Sequence, residues 1–141
     1  MNLYVDASIL LRLVLGERGA LREWRRSDRL ISSELIRLEC LRTLDRSRLL
    51  GGLSDEVVAA RRAEVLETLH AFELLPIDRL VLELAAAQFP TALGTLDAIH
   101  LASALVARDE VPDLVLATHD RELAVAARSV GFRVVGTAGL A

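Results

Sequence analysis

The stretch Leu3-Tyr4-Val5-Asp6 is a short apolar run that ends at a carboxylate. Four later runs have the same continuously apolar character: Leu30–Ile31 with its flanks, Phe72–Leu75, Leu114–Ala117 and Phe132–Val135. Runs of this kind are typical of strands that are covered by helices on both faces of a parallel sheet. We therefore predict five short strands.

Helical patterns fill the intervals between these runs. Ser54-Asp55-Glu56 has a capping residue followed by two acids, as the start of a helix often does. The apolar face of that helix is predicted to comprise Val58, Val65, Leu69 and Phe72. Further helices are predicted after Asp78, over Leu96–Arg108 and over Arg121–Ser129. Strands that alternate with helices indicate an α/β fold with right-handed crossovers.

The composition indicates one globular domain. The 141 residues fit a single domain, 1–141, with a continuous core. Hydrophobic residues make up 52% of the chain and its mean hydropathy is +0.37, so we expect some apolar surface in an oligomer interface. No apolar run reaches the roughly 18 to 20 residues of a membrane-spanning helix, and no signal peptide is recognisable. We expect a soluble, cytoplasmic protein that does not bind membranes.

Cysteine and charge exclude several kinds of site. Cys40 is the single cysteine, which excludes an internal disulfide and a cysteine-rich metal site, and its helical neighbours predict a buried apolar role. The net charge of −3 gives no general basic surface for nucleic acid. All 17 positive side chains are arginines, whose planar fork suits bidentate contacts with phosphate.

Acidic residues follow several of the predicted elements. Ligands gather at the carboxyl ends of the strands in an open α/β sheet, where Asp6 and Asp120 would lie. Asp97 is expected in the first turn of a helix, and Glu39 one to two turns into another. Each aspartate alone is explained equally well as a helix cap or first-turn acid, and Glu39 as an ion pair with Arg42. Only in combination do the four acids indicate a shared site.

Four ionised carboxylates in one cleft repel one another and need cations. Oxygen donors without histidine or cysteine suit Mg²⁺ or Mn²⁺. Two divalent ions would neutralise the four charges and could clamp an in-line phosphoryl displacement. The residues alone therefore favour metal-dependent phosphoryl transfer.

Three other α/β sites with acids at strand ends fit the sequence less well. A phosphoacceptor receiver would need adjacent acids after the first strand and a lysine after the last, and the chain contains no lysine. A haloacid-dehalogenase-type phosphatase would need Asp-x-Asp, whereas Ala7-Ser8 follows Asp6. A dinucleotide site would need a Gly-x-Gly-x-x-Gly turn after the first strand, which is absent.

At these acids the sequence resembles the PIN-domain nucleases, and most closely the VapC-type toxins of bacterial toxin–antitoxin pairs. The segments that carry the resemblance are Tyr4-Val-Asp6-Ala-Ser8, Ile31-Ser-Ser-Glu-Leu-Ile-Arg-Leu-Glu39-Cys-Leu-Arg42, Thr95-Leu-Asp97-Ala-Ile-His100-Leu-Ala102 and Leu116-Ala-Thr118-His-Asp120-Arg121. They span nearly the whole chain in the expected order, and the segment that begins at Thr95 is the most specific. The resemblance implies a three-layer α/β/α domain with a short five-stranded parallel sheet.

The same resemblance assigns roles to site residues. It implies that Asp6, Glu39, Asp97 and Asp120 bind Mg²⁺ or Mn²⁺. Ser8 and Thr118 would orient the metal ligands or phosphate, although Ser8 could equally cap the first helix. Thr95 is expected to cap the helix that bears Asp97 rather than to contact substrate.

Other polar residues near the motifs are harder to assign. Glu34 is a rival to Glu39, which we prefer because it precedes the apolar-apolar-Arg segment that ends at Arg42. A stripe of Glu39, Arg42 and Arg46 could let phosphate approach the acids, or could be a solvated face. His100 is expected to be a packed, hydrogen-bonded histidine, and His119 is expected to point away from Asp120.

For the whole chain, the resemblance implies a Mg²⁺- or Mn²⁺-dependent endoribonuclease that acts as the toxin of a toxin–antitoxin pair. Its partners would be an RNA substrate, a second copy in a homodimer and a cognate antitoxin that covers the site. The alternative is a non-catalytic RNA- or protein-binding module on the same fold, in which the acids are dispensable.

Overall fold

The computed structural model describes residues 1–137, and for Arg22 and Arg25 it describes the backbone alone. This part of the chain contains five strands: β1 (Asn2–Val5), β2 (Arg29–Ser33), β3 (Phe72–Leu75), β4 (Val115–Ala117) and β5 (Val134–Val135). They form one parallel sheet in the order β3-β2-β1-β4-β5. The first strand of the chain therefore lies at the centre of the sheet.

Helices cover both faces of this sheet. Residues 1–137 form six α-helices: α1 (Ala7–Val14), α2 (Leu35–Leu49), α3 (Asp55–Leu69), α4 (Arg79–Ala85), α5 (Thr95–Glu110) and α6 (Arg121–Ser129). A 3₁₀ helix, Arg22–Arg26, precedes β2. Helices α1 to α3 pack on one face, α5 and α6 on the other, and α4 packs against α5. None of the helices within this described range is long and apolar enough to cross a membrane.

Successive side chains of β1 point to opposite faces of the sheet, so they pack against different helices. Leu3 and Val5 pack beneath α1 to α3, whereas Tyr4 packs on the opposite face beneath α5 and α6. All three side chains are fully buried. A slip of one residue in strand pairing would exchange the two faces, so burial on both sides fixes the register. The sheet is thus the middle of three layers, as the sequence predicts.

The predicted strands differ from the observed ones mainly at their ends. Strand β3 has the predicted bounds, and β4 begins at Val115 rather than Leu114. Strand β2 extends past Leu30–Ile31, because the hydroxyl of Ser32 donates to the carbonyl oxygen of Val5 and so satisfies a polar side chain inside the sheet. Strand β5 is shorter than Phe132–Val135, since Phe132 packs into the core before pairing begins.

The predicted helices are present with similar small differences. Helix α6 has the predicted bounds, and α5 extends beyond Leu96–Arg108 by one residue at its start and two at its end. Ser54 caps α3 as predicted, with its hydroxyl accepting the backbone N–H of Val57. Phe72 was wrongly placed on the apolar face of this helix, because α3 ends at Leu69 and Phe72 begins β3.

Gly136 lies directly after β5, where the chain passes close to the end of β4. Its φ is +101°, and a Cβ atom at this position would lie 2.5 Å from the carbonyl oxygen of Thr118. The backbone N–H of Thr118 also donates to the carbonyl of Val135 at 3.0 Å. Both the conformation and the close approach therefore require glycine.

We expect Gly136→Ala to lower the free energy of unfolding by about 3 kcal/mol, because it adds a steric clash to an unfavourable φ. Gly16→Ala is the matched control, since Gly16 has a φ of +66° and, in the described part of the chain, no atom within 4 Å of an added Cβ. It should lose only about 1 kcal/mol. Urea denaturation followed by circular dichroism measures both, and equal losses would show that the close approach is not maintained.

Candidate active site

Asp6 is a buried carboxylate at the end of the central strand, with 3% of its surface exposed. Its Oδ1 accepts from Ser8 Oγ at 2.6 Å and from the backbone N–H of Ile9 at 3.3 Å, so it caps α1. Its Oδ2 accepts from Thr118 Oγ1 at 2.6 Å. Burial raises the pKa of Asp6 above its ordinary value, and the two hydroxyl groups partly offset that rise.

Thr118 joins the ends of β1 and β4. Its hydroxyl donates to Asp6 and accepts the backbone N–H of Asp120 at 2.9 Å. The carboxylate of Asp120 in turn caps α6. Ser8 makes a second bridge of this kind, because its hydroxyl accepts the backbone N–H of His119 at 2.9 Å. These two hydroxyls therefore hold Asp6 and Asp120 at the same edge of the sheet.

Asp97 lies in the first turn of α5, and the other acids alter its pKa. Burial and the negative charges of Asp120 and Asp6 raise the pKa of Asp97 to about 6, with a smaller contribution from Glu39. His100 acts in the opposite direction. The other three predicted acids therefore lie within electrostatic reach of Asp97. We refer to Asp6, Glu39, Asp97 and Asp120 as the carboxylate cluster.

Glu39 lies on α2 and its side chain is 17% exposed. Its Oε1 atom is 2.5 Å from Nε2 of His100 on α5, and Nδ1 of the same ring is 2.8 Å from the hydroxyl of Tyr4. The prediction of a packed, hydrogen-bonded His100 is therefore confirmed. Within residues 1–137 Glu39 makes no ion pair with Arg42, the partner that its helical spacing suggested.

Within residues 1–137, no hydrogen bond or ion pair joins the side chain of Glu34 or Arg42 to the carboxylate cluster. Both are exposed and line a surface groove of about 830 Å³ beside α2 and α3. The residues that line it are Glu34, Arg37, Leu38, Leu41, Arg42, Asp45, Arg62 and Leu74. Arg46 is also exposed. The suggested stripe of Glu39, Arg42 and Arg46 is therefore not one surface, because Glu39 contacts His100 while the two arginines face solvent. Of the two glutamates on this segment, it is Glu39 whose charge acts on Asp97.

Two predicted helix caps are wrong. Gly94 occupies the N-cap position of α5, and Thr95 is an exposed residue in its first turn, so Thr95 does not cap the helix. Ser8 does not cap α1 either, because Asp6 occupies that position and the Ser8 hydroxyl donates to it. The hydroxyls of Ser8 and Thr118 donate to the carboxylate of Asp6, and the orienting role that the resemblance implies for them stays a prediction.

His119 and Cys40, to which the sequence analysis gives no catalytic role, have the environments that it predicts. Nδ1 of His119 is 2.7 Å from the carbonyl oxygen of Gly136, so its ring faces the end of β5. Cys40 is fully buried on α2, and burial raises the pKa of its thiol to about 12. A thiol in this environment remains protonated and packs as a small apolar group.

The carboxylate cluster fits a hard divalent cation in chemistry and in charge. Its donors are all oxygen atoms, which Mg²⁺ and Mn²⁺ prefer. A cation would also relieve the repulsion that raises the pKa of Asp97. Among residues 1–137, no three His, Cys, Asp or Glu side chains already converge as a metal-ligand group. Mg²⁺ usually keeps several waters and binds one or two carboxylates directly, so a cation at this edge would be held partly through water.

Comparison with known proteins identifies the family. The PIN domain family model matches residues 3–129 of this chain. The chain belongs to the PIN-domain family. It is similar to Ribonuclease VapC46 of Mycobacterium tuberculosis, with 35% identity over 136 residues, which cover 94% of this chain and 95% of that relative.

Two solved structures are similar to this chain in fold. The structure of PAE2754 from Pyrobaculum aerophilum is similar with a TM-score of 0.62 and 25% identity, covering 96% of this chain and 91% of that one. A toxin–antitoxin complex from Klebsiella pneumoniae gives a TM-score of 0.59 at 20% identity, covering 88% and 91%. The PIN fold thus accounts for nearly all of this chain.

In this PIN domain His100 contacts the cluster and Tyr4 contacts His100, and the sequence analysis gives neither residue a role in the site. Tyr4 was assigned only to a buried strand, and His100 only to packing. A tyrosine inside a fully buried strand needs a partner for its hydroxyl, which was one available signal. The spacing of Asp97 and His100, three residues apart on a helix, was another, because it places both on one face.

We expect the Asp97 carboxyl of the metal-free PIN domain to titrate near pH 6, well above the ordinary value of 3.8. Burial and the neighbouring negative charges oppose its ionisation. Carbon-detected NMR titration measures this, with Asp45 as the internal control, since its hydrogen bond from Arg48 lowers its pKa. A normal Asp97 titration would show that the acids are not clustered.

The same pKa shift predicts a pH-dependent stability. Folded protein keeps a proton on Asp97 between pH 3.8 and about 6 that unfolded protein releases, so the free energy of unfolding falls as pH rises through this range. Asp97→Asn should stabilise the metal-free protein at pH 8 by about 1 kcal/mol, allowing for partial exposure, and by less at pH 4. Thermal unfolding at both pH values tests this, with the exposed Asp109→Asn as control. Equal effects of Asp97→Asn at both pH values would contradict the assignment.

Proposed function

We propose that this chain is a Mg²⁺- or Mn²⁺-dependent endoribonuclease that acts as the toxin of a toxin–antitoxin pair. The observation that carries the proposal is the gathering of four acids in the carboxylate cluster, where burial and the charges of Asp120, Asp6 and Glu39 raise the pKa of Asp97. Such a cluster opposes folding unless a cation neutralises it, which supports a metal site. The similarity to Ribonuclease VapC46 over 94% of the chain supports RNA as the substrate.

The residues around the cluster would hold its carboxylates ready for a cation. Ser8 and Thr118 fix both oxygens of Asp6, and Thr118 also fixes the backbone of Asp120. His100 holds one oxygen of Glu39. Mg²⁺ or Mn²⁺ bound by the four acids would supply the positive charge that polarises a phosphodiester. No side chain needs to form a covalent intermediate with the RNA.

The proposed partners follow from the relatives and from the surface. The similar structure from Klebsiella pneumoniae is a toxin–antitoxin complex, which supports a cognate antitoxin. An antitoxin arginine that entered the carboxylate cluster would replace the charge of the metal. Exposed apolar side chains, among them Leu80, Leu82 and Leu96, support contact surfaces for a homodimer or an antitoxin. We propose that the chain is one domain, 1–141, of which 138–141 lie outside the described residues, and that it acts in the cytoplasm.

Substitution of the acids tests the enzymatic part of the proposal. Asp6→Asn and Asp97→Asn should each reduce Mg²⁺- or Mn²⁺-dependent RNA cleavage by at least about 100-fold without unfolding the protein, because each removes a metal ligand. Asp109→Asn, at the far end of α5 from Asp97, should cleave like the wild type. Cleavage is measured on a broad panel of cellular RNAs, with circular dichroism as the folding control. If folded wild type cuts nothing with either metal, yet binds RNA or protein without metal, the chain is a non-catalytic module.

Expression in cells tests the toxin–antitoxin part. Induction of this protein alone should arrest growth and create new RNA 5′ ends at defined positions. Co-induction with the protein encoded beside it should suppress both effects, because the partner would cover the carboxylate cluster. Sequencing of RNA ends in the two cultures measures this, with Asp97→Asn as the inactive control. Identical RNA ends in the wild-type and Asp97→Asn cultures would exclude the toxin role.

A further inference from the structure

We infer that Tyr4 and His100 are a positioning pair that holds Glu39 in the carboxylate cluster. The inference rests on the proposed function, because it concerns how one proposed metal ligand is kept in place. Nε2 of His100 is 2.5 Å from Oε1 of Glu39, and Nδ1 is 2.8 Å from the hydroxyl of Tyr4. The three side chains therefore form one continuous chain of hydrogen bonds.

The direction of these hydrogen bonds follows from the chemistry of the groups. An ionised carboxylate only accepts hydrogen bonds, so Nε2 of His100 donates to Glu39. In the neutral ring Nδ1 is then an acceptor of the Tyr4 hydroxyl, and in the protonated ring Nδ1 donates to it, so Nε2 donates to Glu39 in both states. The Tyr4 hydroxyl thereby occupies Nδ1, which leaves Nε2 as the ring nitrogen that faces the carboxylate of Glu39.

Burial fixes the pair in one orientation. Tyr4 is 0% exposed and His100 is 1% exposed, so neither side chain has solvent into which it could rotate. Their rings meet edge to face, with centroids 5.9 Å apart and an interplanar angle of 74°. A close-packed ring with both nitrogens bonded has few alternative rotamers. The Nε2 atom therefore offers a hydrogen bond from a fixed point.

The pair also connects the elements that carry the cluster. Tyr4 lies on β1, two residues before Asp6, and His100 lies on α5, one helical turn after Asp97. Glu39 comes from α2. A displacement of His100 would therefore move Glu39 relative to both aspartates. The hydrogen-bond chain sets the spacing between three carboxylates that come from three different elements.

Glu39 depends on this contact more than the aspartates depend on theirs. Asp6 and Asp120 cap helices through backbone N–H groups close to them in sequence. Glu39 lies inside α2, and among residues 1–137 its side chain bonds only to His100. A glutamate has more rotatable bonds than an aspartate and gains more from being held. Loss of the pair would thus release the most flexible member of the cluster.

Metal affinity measures this role without requiring RNA. Binding of Mn²⁺ is followed by electron paramagnetic resonance, which detects the free ion. His100→Gln should weaken Mn²⁺ binding by about 10-fold or more, and Tyr4→Phe by a smaller factor, because both act on the orientation of a ligand. His70→Gln is the matched control, since that histidine side chain is 78% exposed. Tyr4→Phe keeps the volume of the core, so it tests the positioning pair even if His100→Gln does not fold.

A double-mutant cycle separates positioning from general stability. In the Glu39→Gln background, His100→Gln should cause no further loss of Mn²⁺ affinity, because the pair acts through the carboxylate that is already removed. A full additional loss in that background would overturn the inference. Wild-type Mn²⁺ affinity in folded His100→Gln would overturn it as well.

The outcome for the pair is distinguishable from the outcome for the proposed function. The Nε2 proton of His100 should give a downfield NMR signal in the metal-free wild type that moves in Glu39→Gln and in Tyr4→Phe. If the wild type neither binds Mn²⁺ nor cuts RNA while this signal behaves as expected, the proposed function fails and the positioning of Glu39 stands. If Mn²⁺ binds and RNA is cut but the signal does not respond to either substitution, the positioning pair is wrong and the function stands.

Discussion

A carboxylate buried at the end of the central strand constrains the whole carboxyl edge of the sheet. Asp6 is 3% exposed, and a charge in that position needs hydrogen-bond donors on both oxygens. Ser8, Thr118 and the first turn of α1 supply them. Because Thr118 follows the neighbouring strand, the bond that satisfies Asp6 also ties β4 to β1 and places Asp120 beside them. The other elements of the site are arranged around this contact.

The carboxylate cluster works against the stability of the domain that carries it. Burial and like charges raise the pKa of Asp97 to about 6, so at neutral pH the metal-free protein holds repelling charges at one edge. The two apolar layers on either side of the sheet offset this repulsion, since β1 is fully buried on both faces. The packing that stabilises the domain thus lies in the body of the sheet, whereas the repelling carboxylates lie at its edge.

The sequence predicted the fold because the strands are continuous apolar runs, and it missed strand ends where a single contact intervened. Ser32 can lie inside β2 because its hydroxyl donates to the carbonyl oxygen of Val5 on β1. Composition does not reveal this contact. Parallel strands place their carboxyl ends at the same edge of a sheet, so the sequence was enough to predict that Asp6 and Asp120 lie near each other. Local spacing failed for Glu39, since its partner His100 is 61 positions away rather than 3. The expected cap at Thr95 failed because Gly94 takes the N-cap position.

The bond between Asp6 and Thr118 joins residues 112 positions apart. A growing chain therefore contains Asp6 long before it contains β4 and Thr118. Until β4 has been made, β1 can pair only with β2, and Asp6 lacks one of its two hydroxyl donors. The carboxyl edge of the sheet, with Asp6 and Asp120 side by side, can therefore form only after β4 has been added.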